Sequence, residues 1–156
     1  MYQKGDNIVY PLYGAGVIED IEEKDVDGEL QTYYVLNIPV GNLKIMISAA
    51  KAESQKVRHV HGKDEIMGLI SGAEETIMPD NWNQRYKENM ERIKSGEVEQ
   101  VAVVFYNLLL RERERGLSTA EKKMMTTAKQ IILSELILSL DVEKTEAEDI
   151  LDKTFG

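Results

Sequence analysis

The spacing of apolar residues changes once along this chain, near residue 60, and that change divides it into two modules of different kind. Before it, apolar side chains alternate over short runs separated by turn residues, the period of a half-buried strand. Asn7-Ile8-Val9-Tyr10 reads as a strand ended by Pro11, and Gly14-Ala15-Gly16 as a bend leading into a strand over Val17–Glu22. Asp27-Gly28 is a strong hairpin signal, because both residue types tolerate positive φ. Strands over Thr32–Ile38 and Leu43–Ile47 follow, joined by a turn at Val40-Gly41-Asn42, with a last short strand near Val57–Val60. Short strands joined by tight turns and rich in β-branched and aromatic residues predict a small SH3- or Tudor-like β-barrel over residues 1–62.

From residue 63 the apolar period is helical, which predicts an all-α domain over residues 63–156 and an α+β, two-domain chain. Lys63–Ile70 reads as a short helix stopped at Ser71-Gly72, followed by a connector over about residues 71–80. A long helix should run from Asn81 or Trp82 to Lys94, and a second from Glu97 to Arg115 with Val101, Val104, Phe105, Leu108 and Leu109 on its apolar stripe. Gly116 is its stop. Ser118-Thr119-Ala120-Glu121 has the form of a capping box, in which the serine oxygen and the glutamate carboxylate each satisfy a free backbone N–H. The helix it opens should reach about Leu140 and bury Met124, Ala128, Ile131, Ile132, Leu136 and Ile137. Thr145-Glu146-Ala147-Glu148 repeats the cap signal before a last helix to about Lys153.

The chemistry suggested by this composition is that of binding. A net charge of −9 argues against holding duplex DNA by general attraction, since such affinity comes from many phosphate contacts. Any DNA contact would be local, and something else would have to deliver the protein to it. Without cysteine there are no disulfides or thiolate metal sites, and a reducing interior is permitted. No apolar run approaches the roughly 20 residues that cross a bilayer, and Met1–Asp6 lacks the apolar core of a signal peptide, so a cytoplasmic location without membrane contact is expected. His59 and His61, the two histidines, share one face of a strand, but no nearby pattern adds further ligands. No nucleotide-binding glycine motif occurs, because Gly14-Ala15-Gly16 lacks the downstream helix such a loop needs. The expectation is a protein with no cofactor, metal or catalytic centre.

The single tryptophan sits in Asn81-Trp82-Asn83-Gln84-Arg85-Tyr86-Lys87, just after the breaker Met78-Pro79-Asp80. A flat ring at the start of a helix, followed by Arg85 and Lys87, suits a nucleic-acid backbone and an unstacked base step. The same ring can be a core residue that staples its helix to a neighbour, the more common place for a tryptophan, in which case the chain would be a protein–protein adaptor that does not bind DNA. Residues Arg111–Arg115 read as a solvated helix end whose cations complement the dipole. Lys122 and Lys123, in the first turn of the next helix, oppose the dipole and are candidates for a partner anion.

In the order and spacing of these motifs the chain resembles the CarD/CdnL family of bacterial transcription regulators over essentially its full length. Lys4-Gly5-Asp6-Asn7-Ile8-Val9-Tyr10-Pro11 with Gly14 is similar to the start of that family's RNA-polymerase-interacting domain, a Tudor-like module shared with transcription-repair coupling factors. The helical half matches at Asn81-Trp82 with Arg85-Tyr86-Lys87, at Ser95-Gly96, and at Glu114-Arg115-Gly116-Leu117-Ser118 with Glu121-Lys122. The resemblance implies that the barrel binds the RNA polymerase β subunit by adding a strand edge, with Lys24, Ile45, Met46 and Ile47 as candidate contacts. It implies further that the helical domain meets promoter DNA at the upstream edge of the bubble, without reading its sequence. There Trp82 would wedge into the minor groove, Arg85 and Lys87 would lie on phosphates, and Lys122 and Lys123 would add further contacts. Family members stabilise the open complex formed with the principal sigma factor, typically at ribosomal RNA promoters, and are nucleoid-associated through polymerase. Two departures stand out: Gln84 occupies a position that is often basic, and Lys24 and Met46 stand where the strands facing polymerase can carry arginine. Lysine keeps the charge of arginine without its bidentate fork, and methionine keeps neither.

Overall fold

The structure is a computed structural model describing residues 1–156. Its N-terminal part is a five-stranded antiparallel sheet made of β1 (Asn7–Tyr10), β2 (Gly14–Val26), β3 (Glu29–Ile38), β4 (Leu43–Ser48) and β5 (Arg58–His59), in the order β4-β3-β2-β1-β5. The β2–β3 hairpin closes at Asp27-Gly28, with φ of 52° and 86°, because the two-residue turn that matches strand twist needs positive φ at both central positions. Ile8, Ile18, Tyr34, Leu36, Ile38, Ile47, Ala52 and Val57 form the barrel core. A short 3-10 turn over Ala49–Lys51, absent from the sequence reading, links β4 to β5.

The helical part comprises α1 (Lys63–Ser71), α2 (Trp82–Lys94), α3 (Val98–Arg115), α4 (Thr119–Leu140) and α5 (Lys144–Phe155). Their apolar stripes meet in a second, larger core that includes Ile66, Ile93, Val101, Phe105, Leu108, Ile132 and Leu136. Residues 73–80, between α1 and α2, carry no regular structure. The last helix begins two residues earlier than its cap motif suggests. Glu143 is the N-cap, without a side-chain hydrogen bond, and Thr145 lies inside the helix.

The two modules are docked against each other through α4 and β2. In β1 the alternation of a strand sends Ile8 into the barrel core, while Val9 faces Ile93, Val98, Val101 and Ile131 of the helices. The Gly14-Ala15-Gly16 segment is the start of β2 rather than a bend, and its glycines serve close approach. A Cβ at Gly14 (φ +119°) would stand 2.7 Å from Ser134 Oγ, and one at Gly16 would stand 2.6 Å from the Asn37 carbonyl oxygen. Removing those two methyl groups lets α4 and β3 lie directly against the strand. Ser134 Oγ then accepts the Ala15 N–H at 2.8 Å.

Beside this contact, Arg58 of β5 grips Glu135 of α4 through two parallel bonds of 2.8 Å and donates from Nε to the Gly96 carbonyl at 2.7 Å. Glu135 also accepts the His61 N–H, and Ser139 donates to the His61 carbonyl. With Glu135 1% exposed, Ser134 fully buried and Arg58 partly open to solvent, the junction is a polar weld held in a fixed geometry by the bidentate fork.

Candidate nucleic-acid interface

Pro79 and Asp80 break the chain before α2, and Asn81 caps the helix by accepting the Gln84 N–H at 3.0 Å. Trp82 is thereby the first helical residue, at an end where no preceding turn covers it. It lies outside both cores and remains 40% exposed, so the reading of Trp82 as a core residue does not hold. Its ring is nevertheless held. One face stacks on Tyr86, one turn further along, with centroids 5.1 Å apart and planes within 18°. Its Nε1–H donates to Ser118 Oγ at 3.1 Å.

Ser118 is the N-cap of α4, and its single oxygen makes three hydrogen bonds. It accepts from Trp82 Nε1 and from the Glu121 N–H (3.2 Å), and it donates to Glu121 Oε1 (3.2 Å). One donor and two acceptor sites are all a hydroxyl has, so its capacity is filled. Half of the expected capping box is therefore formed. The Glu121 carboxylate turns instead to Arg85, accepting from Nε at 2.8 Å and Nη2 at 3.3 Å.

This pair corrects the expectation for Arg85. Its side chain is 4% exposed, and its Nη1 donates to the Pro79 and Asp80 carbonyls at 3.2 and 2.9 Å. Four of its five donors are thus spent inside the domain, which leaves it no route to a phosphate. Burial alone would raise the pKa of Glu121, but the hydrogen bond and charge of Arg85, the Ser118 hydroxyl and nearby Arg111 together hold it below its ordinary value. The carboxylate stays ionised, as the buried guanidinium requires.

Two further buried polar residues hold the connector. Asn107 accepts the Thr76 N–H at 3.0 Å and donates to the Thr76 hydroxyl at 2.7 Å, and Asn89 Nδ2 lies 3.5 Å from Met78 Sδ. The segment so pinned leaves Ile77 fully exposed just ahead of Trp82.

The remaining expected cations are exposed but not equally placed. Lys87 is five residues from Trp82, about 140° around the helix, so it does not share the indole's face. Lys122 stands one turn along α4 from Ser118, the residue that anchors the indole, and Lys123 follows it.

At the other end of the molecule, β4 is an edge strand. Met46 is 40% exposed, and the structure brings it to Lys24, whose Nζ is 3.4 Å from Met46 Sδ. Ile45 is half-buried. Ile47 is 1% exposed in the barrel core, so it is a core side chain and not a surface contact: strand alternation turns it inward while Met46 turns outward. The histidines are also engaged, His59 edge-to-face with Tyr2 at 4.9 Å and His61 Nδ1 with the Glu65 carboxylate. No helix is long and apolar enough to cross a membrane.

Sequence reasoning missed three residues here: Glu121 and Ser118 in their roles toward α2, and Ile77. One available signal was the 85, 89, 93 spacing, which puts Arg85 and Asn89 on the same stripe as the core residue Ile93.

A β-module with an edge strand, joined through a polar junction to a helical module that holds a half-exposed indole, defines a two-module protein. Residues 2–61 match the model of the CarD-like/TRCF RID domain, and residues 65–152 match that of the CarD C-terminal domain. The chain belongs to the CarD/CdnL family of transcription regulators. It is 41% identical over 140 residues, 87% of its length, to the Bacillus subtilis (strain 168) protein named "Putative transcription factor YdeB", of which the match covers 90%.

Proposed function

We propose that this protein docks on the RNA polymerase β subunit through its N-terminal module and stabilises the promoter open complex of the principal sigma factor holoenzyme. Trp82 sets against the minor groove at the upstream edge of the bubble. The domains divide the work at about residues 62–63, the barrel docking and the helices meeting DNA. The docking strip is the β4 edge, with Met46 and Lys24 as side-chain contacts, Ile45 at its margin, and backbone pairing supplying affinity. Lys122 and Lys123 lie on phosphates near the indole, with Lys87 as an outlying contact, and no base sequence is read. Arg85 takes no part in this contact.

The observation that carries this reading is the indole, exposed at a helix start and fixed in place, in a chain that matches the family in both halves. It also accommodates the net charge of −9. Delivery by polymerase raises the local concentration of the helical domain at one DNA site, so weak intrinsic affinity suffices. A stacked aromatic contributes roughly 1–3 kcal/mol, and about 1.4 kcal/mol is tenfold in an equilibrium. Trp82→Ala is therefore expected to shorten the lifetime of the open complex on a ribosomal RNA promoter by about one to two powers of ten. Equal lifetimes with folding and polymerase binding intact would refute the wedge.

A further inference from the structure

We infer that Ser118, Glu121 and Arg85 form a positioning relay that presents Trp82 in one fixed orientation, so that the indole meets its partner already set. This rests on the reading of Trp82 as the contact residue. An indole at the first position of a helix, 40% exposed, would by default rotate about its two side-chain torsions. Here stacking on Tyr86 fixes the plane of the ring, and the bond from Nε1 to Ser118 fixes its direction within that plane. What remains open to a partner is the part of the ring away from Nε1.

The hydroxyl that receives the indole is itself fixed. Ser118 Oγ donates to Glu121 Oε1, and Glu121 is held by the Arg85 guanidinium. Arg85 in turn clamps the Pro79 and Asp80 carbonyls, directly before the Asn81 cap and Trp82. The relay thus closes on itself. It starts at the indole, crosses to the start of α4, returns through the buried ion pair, and ends on the backbone that launches the tryptophan. A capping box needs only Ser118 and Glu121, and nothing in helix capping requires an arginine from another helix. Arg85 lies three residues after Trp82, so a single helical turn carries both the presented ring and the clamp that orients it. Ordering the ring before contact removes the entropy cost of immobilising it on binding.

Truncating Glu121 or Arg85 would strand a buried charge, and the loss of folding would mask any loss of position. Ser118→Gly avoids this. Glycine is a competent N-cap, so α4 keeps its start while the indole loses its acceptor. Trp82 is the only tryptophan, so its emission reports on the relay without labelling. In the full chain, Ser118→Gly should lower the thermal midpoint by only a few degrees, through the lost bond to Glu121, speed the local decay of indole anisotropy and increase iodide quenching. It should also shorten the open-complex lifetime about two- to tenfold, the range of one lost neutral hydrogen bond. Ser118→Thr, which keeps the hydroxyl, should restore all three. Indole anisotropy and quenching unchanged in Ser118→Gly would overturn the relay, as would a freed indole with a wild-type lifetime while Trp82→Ala shortens it. A lifetime untouched even by Trp82→Ala would overturn the wedge itself, and with it the purpose of the relay.

Discussion

Six polar side chains are buried in this protein, and they fall into two groups with different tasks. Ser134 and Glu135 lie at the junction of the modules, where with Arg58 they fix one folded unit against another. Arg85, Asn89, Asn107 and Glu121 lie under the connector and the start of α2, where they hold irregular backbone and one side chain. Each group takes part in an Arg–Glu pair, the first through the partly exposed Arg58, and the pairs differ in solvent access. The Arg85 and Glu121 side chains are 4% and 3% exposed, whereas Arg58 is 23% exposed against 1% for Glu135. Burying a charge costs free energy that only its partner and further hydrogen bonds offset. The inner pair is therefore the fragile one, and it stands where apolar packing cannot help, because extended backbone without a ladder needs donors and acceptors. The outer pair works on elements that are already regular, and contributes alignment more than integrity.

The contrast is broken most severely at the inner pair. Arg85→Ala leaves the Glu121 carboxylate buried without its cation and should cost about 3–5 kcal/mol, a large share of the stability of a small domain. Urea unfolding measures it. The double change Arg85→Met with Glu121→Leu removes both charges and should recover the part of that loss due to the stranded carboxylate, but not the part due to the Pro79 and Asp80 carbonyls that lose their donor. A single variant within about 1 kcal/mol of wild type would mean that the pair is not solvent-excluded in solution.

Glu135→Ala should have a smaller effect, roughly 1.5–3 kcal/mol, because Arg58 can turn its guanidinium to water once its partner is gone. The more specific consequence is orientational. Removing the carboxylate also frees the His61 N–H, so the angle between the modules should broaden, which small-angle scattering or residual dipolar couplings would detect. An unchanged angle would assign the alignment to the Ser134–Ala15 contact and to Val9 packing alone. Arg85→Ala should leave this angle untouched, since none of its bonds reach the sheet.

Regular structure was legible in the sequence wherever a residue type has a local backbone duty. Asp27-Gly28 places its hairpin turn, Ser118 places the start of α4, and Gly116 places the end of α3, because positive φ and capping are properties of a few consecutive residues. Thr145 misled: the helix starts at Lys144 behind Glu143, which makes no side-chain cap bond, and buries Ala147 and Leu151. The site was legible only in part. That Trp82 opens α2 followed from Pro79 and Asp80. That Arg85 is buried did not, because its partner lies 36 residues away on α4. The 85, 89, 93 stripe points Arg85 toward the core, but the carboxylate that makes burial of its charge tolerable cannot be read from neighbouring residues. The glycines at 14 and 16 were misread on similar grounds: their reason lies in Ser134 and Asn37, across the fold.

The smallest expected effect is a dependence of the inner pair on pH. The ordinary value for Glu121 is 4.5, and in the fold it lies lower because Arg85 and Ser118 favour the ionised form against the penalty of burial. As pH falls, the unfolded chain therefore takes up this proton first. The stabilisation from the inner pair is fully present above pH 4.5 and disappears as pH drops through the lower folded value. Urea midpoints of wild type and of the Arg85→Met, Glu121→Leu double variant, followed through the acid range, should differ by an amount that shifts against wild type below that point. Above it the difference should stay constant. Acid should also loosen the indole, because a protonated Glu121 weakens its hold on both Arg85 and Ser118. Iodide quenching of Trp82 should then rise at a pH where the barrel and the helices are still folded. If quenching rises only with global unfolding, the hold on the ring does not depend on the charge of Glu121, and the inner pair maintains the backbone alone.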